Sequence, residues 1–508
     1  MSNFSETFDN AAQRNILRNS GYFEEDIKKP FIGILSAYNP LMAGHRGFRE
    51  LEGLVSRGII EKGGTPVVIP LFSVCNGLAN GHHGAKFSLL SREFTANDVE
   101  TLLAAHALDG AVCLGSCNMS VAGMVLGLIR AGIPGLIVGN GIGCSDCADD
   151  ECGEAADGMN LALEMLGLCL PENSTLPAGT AERKALARRT GEAIMQAVER
   201  QLTPRRILTL ASLKNAIALN MALNPSTDVL LHLLAIGRTL GFNFDKALNP
   251  ESINRIAEQT PLLADGLSAR ALAAAGGTGA VIHAMIEAHL AEGAVLTATG
   301  RTLAETYADC EIKDASILHA PTSPLEKQGG LVFLSGNLAE RGALVRRAGL
   351  KQTQFSGPAR VFDSVEDAAM AAKGGSIREG DCVILRFEGP KGGPGMREIT
   401  PYFSALRANR LLGKVVTVTD GRIPVDAEGL NVCHVSPEAY ASNPLALLRD
   451  EDPVEIDLKK ARISVKLASK ELDQRKRRLH VEEKDCTGAL RLYKNSCEDA
   501  SFGAGFAQ

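Results

Sequence analysis

Residues 110–130 read GAVCLGSCNMSVAGMVLGLIR, and the fold class follows from them. Ala111 to Leu114 is a short apolar run of the kind that forms a buried strand. Gly115-Ser116 breaks it, and from Val121 to Arg130 apolar residues recur at helical spacing. Strand, tight turn and helix in succession form the unit from which parallel α/β sheets are assembled. Ligands of such sheets bind beyond the carboxyl ends of the strands, so Cys117-Asn118-Met119 stands where chemistry would sit. Helix capping by Ser116 or Ser120 is the plainer reading of the same turn.

The signature recurs on both sides of this unit. Phe31–Ala37 (FIGILSA) reads as a first buried strand, followed by a loop through Gly44-His45 and a helix to Ile60. Pro66–Phe72 reads as a second strand; its carboxyl end carries Cys75-Asn76-Gly77 and the glycine- and histidine-rich Asn80-Gly81-His82-His83-Gly84. Ser88–Glu93 then precedes an expected helix over Asn97–Ala107, and Gly135–Val138 makes a further strand. Residues 155–320 are rich in Ala and Leu at helical spacing. From about 325 the chain changes to short β-type runs, such as 330–334, 360–362, 381–387 and 414–418, punctuated by Gly and Pro. The expected organisation is an N-terminal arm (1–29), an α/β/α domain with a parallel sheet (30–322) and a β-rich, barrel-like domain (323–508).

Composition narrows the function classes. A chain of 508 residues is too long for one ordinary domain. Apolar content of 45% with 22% charged residues is that of a globular protein. A net charge of -6 with no basic, aromatic-studded face argues against a nucleic-acid partner. The absence of a signal peptide and of an 18-residue apolar span argues for a cytoplasmic protein with no membrane partner. Twelve cysteines at uneven spacing suggest thiols or metal ligands and not a disulfide framework. The densest cluster is Cys144, Cys147 and Cys152, a CxxC pair with a third thiol five residues on, interleaved with acidic residues. Such a cluster favours metal or iron–sulfur ligation, although neither a second CxxC pair nor a ferredoxin pattern completes it.

Taken together, the motifs resemble the dihydroxy-acid, phosphogluconate and sugar-acid dehydratase family. The matching segments run in family order from about residue 30 to the C-terminus. They include Ser88–Glu93, the Cys117 turn, Met159-Asn160, Ser226-Thr227 with Leu231-His232-Leu233, and Gly357–Phe362. The most specific is Glu388–Glu398 (EGPKGGPGMRE), joined by Thr419–Arg422 (TDGR) and His434–Ala439. The resemblance implies an iron–sulfur cluster acting as Lewis acid on a departing hydroxyl, a Mg²⁺ ion that orients the substrate, and a serine alkoxide that removes a proton. It also implies a homodimer or a dimer of dimers.

The sequence departs from that pattern where the chemistry would lie. The family's Asp-Gly is Asn76-Gly77, its Cys-Asp-Lys turn is Cys117-Asn118-Met119, and its serine after Asp-Gly-Arg falls at Pro424. Of the Mg²⁺ ligands only Glu398 is retained. Hard Mg²⁺ requires oxygen donors, which Met119 lacks and which Asn supplies only in neutral form. The expected cofactor is therefore an iron–sulfur cluster, 2Fe-2S or 4Fe-4S, and not Mg²⁺. Its expected ligands are Cys117 with Cys144, Cys147 or Cys152; the ligand that two-iron members take from the earlier loop falls at Gly44. The expected catalytic set is Asn76, Asn118, Glu398 and Arg422. His82, Ser226, Thr227 and Lys391 are the candidates to bind substrate, with Arg422 and Lys391 as anchors for a carboxylate. His232 and His434 read as core histidines. The expected function is a divergent lyase acting on a small hydroxy or amino carboxylate; the alternative is a non-catalytic homologue that serves as a binding or scaffold protein.

Overall fold

Four short, largely apolar runs build the N-terminal sheet: β1 (Phe31–Ser36), β2 (Thr65–Pro70), β3 (Gly110–Leu114) and β4 (Gly135–Val138). In this computed structural model, which describes residues 11–143, 158–441, 443–481 and 483–507, they form a parallel sheet in the order β2-β1-β3-β4. β1, β3 and β4 are buried along their whole length, as parallel strands covered on both faces must be. The edge strand β2 alternates between half-buried and exposed positions. Asn118–Ala131 follows β3 as a helix that ends on Gly132 in the left-handed conformation.

The helix expected over Asn97–Ala107 runs instead from Phe87 to Ala105. The cause is a buried ion pair in its first half. Arg92 Nε donates to Glu93 Oε1 at 2.8 Å, and Arg130 of the next helix lies 3.6 Å from the same carboxylate. Local periodicity does not register a pair of charges facing inward.

Eight later strands close into a barrel. They are β5 (Leu331–Gly336), β6 (Ala339–Arg346), β7 (Gln354–Phe362), β8 (Cys382–Leu385), β9 (Val416–Thr419), β10 (Asn431–Ser436), β11 (Pro453–Asp457) and β12 (Arg462–Val465). The barrel order is β10-β6-β5-β12-β11-β7-β8-β9. The run β7-β8-β9-β10 is parallel, whereas β5-β6 and β11-β12 are antiparallel hairpins. Small and β-branched residues fill the interior, among them Ala343, Ala359, Ile384, Val418, Val432 and Ile456. Closure leaves no free sheet edge.

The chain separates into two compact units, one of residues 1–74, 91–220 and 263–325, the other of residues 75–90, 221–262 and 326–508. The first holds the parallel sheet and the second the barrel. Composition suggested a single crossing at 322/323; the short excursions 75–90 and 221–262 carry no compositional mark of the unit they join. Among the described residues no helix is long and apolar enough to cross a membrane.

Candidate functional site

In the barrel unit the chemistry gathers after the carboxyl ends of β8 and β9, two neighbouring parallel strands. The glycine-rich run 388–398 leaves β8, and Asp420-Gly421-Arg422 leaves β9. The two meet where Glu398 and Arg422 pair as an isolated bridge and Ile399 N–H donates to the Arg422 carbonyl at 2.9 Å.

Buried carboxylates fix the glycine-rich run. Asp420 accepts from the N–H groups of Phe387, Glu388 and Ala439 at 3.2, 2.9 and 2.9 Å. Glu438 accepts from Lys391 N–H at 3.0 Å and Gly392 N–H at 2.8 Å. Glu388 receives Arg397 Nε at 3.2 Å and Lys484 Nζ at 2.8 Å. Gly395 sits at φ +95°, where an added Cβ would run into the Lys86 carbonyl oxygen, so only glycine lets the loop pass. Burial, and then Glu438's neighbour Asp420, raise Glu438 to about 8; burial raises Asp420 to about 6.

This framework delivers Glu398 to a cavity of about 130 Å³ lined by Asn76, Gly77, Asn80, Ala85, Ser88 and Glu398. Glu398 Oε2 accepts from Asn80 Nδ2 at 3.3 Å and Oε1 from Arg422 Nη2 at 2.7 Å. Asn76 Oδ1 is buried with no partner among the described residues. Behind Glu398, Asp228 takes Arg422 Nε at 3.0 Å and Nη2 at 2.7 Å. Burial works against the charge on Arg422, but Asp228 and Glu398 more than offset it and raise its pKa. Burial also works against Asp228, yet Arg422 holds it below the usual carboxylate range. Glu398 is pushed up, by burial first, with Arg422 opposing and Asp228 reinforcing. His434 Nε2 lies 4.0 Å from Asp228, and burial depresses this ring to about 4, so it is neutral near pH 7.

In the sheet unit the site is the turn after β3. Cys117 caps the helix Asn118–Ala131, its Sγ accepting from Ser120 N–H at 3.5 Å and lying 3.1 Å from Ser120 Oγ. The cap is thus Cys117, not either serine. Ser116 is tied down from three sides: His45 Nε2 accepts its N–H at 3.3 Å, its Oγ accepts from Asn140 N–H at 2.8 Å, and its carbonyl accepts from Asn160 Nδ2 at 2.7 Å. The Ala37 carbonyl engages His45 Nδ1 at 2.6 Å, so Nδ1 carries the proton; burial lowers this histidine to about 4. A Cβ at Gly44 would stand 3.8 Å from Ser116 Cβ, an ordinary contact, so this position has room for a side chain.

Several expected site residues have structural work to do. Arg422 is not free to anchor a carboxylate: two carboxylates hold it, and neither it nor Lys391 lines the cavity. Lys391 contributes its backbone N–H to the Glu438 bond. Asn118 Oδ1 accepts from Met159 N–H at 2.9 Å, and Met119 is buried. His82 is exposed and uses both ring nitrogens on its own loop, at the Leu78 carbonyl (2.8 Å) and Gly84 N–H (3.0 Å). Ser226 caps the helix Thr227–Thr239, and Thr227 is buried against Cys433. Pro424, at the serine position, is buried. Sequence reasoning missed Asp228 and Asn80. Asp228 directly follows the Ser-Thr motif, in the first turn of a helix where an acid is favoured. Asn80 gave no signal apart from its glycine neighbour.

The donor sets decide which cofactors fit. Around Glu398 the cavity offers one carboxylate, already paired with Arg422, and neutral amides; that is not a Mg²⁺ set. Among the described residues no three His, Cys, Asp or Glu side chains gather as metal ligands. Cys117 is the one described thiol at the turn after β3, half-buried at a helix N-terminus. Cys144, Cys147 and Cys152 lie outside the described residues, and a cluster would need ligands from there.

A closed mixed barrel and a parallel four-stranded sheet, with functional loops at strand carboxyl ends, define an α/β protein of two units. The chain belongs to the dihydroxy-acid/6-phosphogluconate dehydratase family: residues 29–152 and 143–306 match its N-terminal part and residues 316–504 its C-terminal part. It is 34% identical to the dihydroxy-acid dehydratase of Clostridium botulinum (strain Alaska E43 / Type E3), with 97% of each chain covered. It is 36% identical to that of Lachnospira eligens, covering 97% of this chain and 96% of the relative. The dihydroxy-acid dehydratase of Carboxydothermus hydrogenoformans is 35% identical, with 98% of each covered.

Proposed function

We propose that this protein is a lyase of the dehydratase family that acts on a small hydroxy or amino carboxylate other than the dihydroxy acids of its named relatives, with an iron–sulfur cluster and without Mg²⁺. Family membership supports the lyase class. One observation carries the divergence: the cavity at Glu398 is walled by Asn76 and Asn80, and its single carboxylate is already paired with Arg422. Mg²⁺ in such a pocket would have one carboxylate, already bonded to Arg422, and otherwise only amide oxygens and water. Pro424 cannot abstract a proton, so the serine-alkoxide step has no residue to perform it.

Within this reading, Cys117 is one thiolate ligand of the cluster and Cys144, Cys147 or Cys152 supply others. A bound cluster would present a Lewis-acidic iron to a departing hydroxyl. The chain's own contribution on the barrel side is a rigid carboxylate, Glu398, held in one orientation by Arg422 and Asn80. The assembly is a homodimer or a dimer of dimers.

The test is anaerobic purification with iron and sulfide assay, followed by keto-acid detection over a panel of hydroxy and amino acids with EDTA present. The reading expects iron and acid-labile sulfide, and turnover that EDTA-chelated Mg²⁺ does not alter. Dehydration of 2,3-dihydroxyisovalerate or gluconate at rates typical of the family, with Mg²⁺ dependence, would overturn it.

A further inference from the structure

The barrel cavity has a definite charge. Two carboxylates, Asp228 and Glu398, face one guanidinium, Arg422. The nearest other titratable group with a described contact, His434, is neutral near pH 7, and Asp426 adds a further negative influence on Glu398. One guanidinium serves two carboxylates, and the one that lines the cavity is Glu398.

The unfilled hydrogen-bonding capacity has the same sense. Glu398 Oε2 receives only a long bond from Asn80, at 3.3 Å. Asn76 Oδ1 is buried without a partner among the described residues, which is costly unless a donor arrives. Asn80 Oδ1 already accepts from Gly81 N–H at 2.9 Å. Arg422 Nη1 is also buried without a partner among the described residues, but Arg422 does not line the cavity, so the unpartnered buried atom on the cavity wall is an acceptor, Asn76 Oδ1. A carboxylate ligand would meet a carboxylate and an amide oxygen, with no cation lining the walls. Mg²⁺ would find a single carboxylate, already shared with Arg422, and would have to shed tightly held water for neutral amide oxygens. A primary ammonium carries one positive charge, offers three N–H donors and imposes no octahedral geometry. The cavity's 130 Å³ matches roughly four waters at liquid density, enough for such a head group.

We propose that the Asn76–Asn80–Glu398 cavity binds a small primary ammonium group, so that the substrate is an amino carboxylate whose nitrogen occupies it. The choice of amino over hydroxy acid rests on the lyase reading above; the ammonium site itself does not.

The experiment is calorimetry on the full-length protein in EDTA, with ethylammonium chloride, sodium acetate and, without chelator, MgCl₂, at matched ionic strength. Ethylammonium is expected to bind saturably and acetate and Mg²⁺ not to. Glu398→Gln should weaken ethylammonium at least tenfold. Asn76→Asp leaves the Arg422 pairing in place and should tighten it several-fold, which guards against a Glu398 variant that fails to fold. No ethylammonium binding, or binding that neither variant changes, overturns the proposal, as does Mg²⁺ binding by the unaltered protein. Because the probe is not turned over, an enzyme inactive on every acid would refute the lyase reading while leaving this site intact. Turnover of hydroxy acids without ethylammonium binding would do the reverse.

Discussion

Glu438 offers a test of how the loop that carries Glu398 is held. Its carboxyl is buried, accepts from the N–H groups of Lys391 and Gly392, and is raised from 4.5 to about 8 by burial and by Asp420. A carboxyl with a raised folded pKa keeps its proton in the folded state while the unfolded chain has lost it. The resulting stability is complete below pH 4.5 and is lost as pH rises through about 8. Between pH 6.5 and 8 the folded carboxyl stays at least half protonated while the unfolded one is ionised, so stability falls by roughly 1.5–2 kcal/mol. For a domain of 150–250 residues that corresponds to a fall of roughly 3–8 °C in the midpoint of barrel unfolding. Glu438→Gln removes the titration while leaving an oxygen for the two N–H bonds. The variant should match the parent at pH 6.5 to within about 1 kcal/mol and be the more stable of the two at pH 8. His45 and His434, both lowered to about 4 by burial, act in the opposite sense, favouring the fold as pH rises through 6.5. They are present in both proteins and cancel in the comparison. Paired thermal scans at the two pH values measure the difference, and equal pH dependence in parent and variant would refute the argument.

Three further outcomes follow from the same geometry. Arg422→Met leaves the half-buried Asp228 and Glu398 without their counter-charge and should cost about 3 kcal/mol in urea unfolding, with part recovered in the double variant Arg422→Met/Asp228→Asn; a double variant no better than the single would show that charge is not the cause. Gly395→Ala combines a Cβ clash with the Lys86 carbonyl and a positive φ, and should destabilise the barrel by about 2 kcal/mol or more, read as a lowered thermal midpoint. Cys117→Ser should lower the iron content and visible absorption of anaerobically purified protein; unchanged iron would remove Cys117 from the ligand set.

The N-terminal sheet was legible because its strands are fully buried, and full burial writes itself as unbroken apolar runs at Phe31–Ser36, Gly110–Leu114 and Gly135–Val138. The barrel was legible as β-rich from its short, β-branched segments, whereas its closure depends on pairings such as β12 with β5 that join distant residues. The helix expected from Asn97 begins ten residues earlier, at Phe87, because Arg92 and Glu93 are fully buried in each other's company, a pairing that local pattern does not show. The site was legible by residue type and not by contact. Glu398 and Asn76 line one cavity. Arg422, which reads as an anion anchor, is consumed by Asp228, a carboxylate 194 residues away that no local pattern connects to it.

The departures at this site form a set. A neutral Asn76 in a metal pocket would simply weaken the metal, and a free Arg422 beside an unpaired Glu398 would leave the remaining charges to water. Here the amide of Asn80 turns to Glu398, Asp228 and Glu398 share Arg422, and His434 beside them is kept neutral by burial. Each of these arrangements compensates another. Removing the guanidinium strands two carboxylates, and removing Asp228 alone would leave Arg422 to Glu398. The wall carboxylate and the open acceptor beside it cost stability, since each is desolvated without full compensation, and the ammonium ligand proposed above would recover part of that cost on binding.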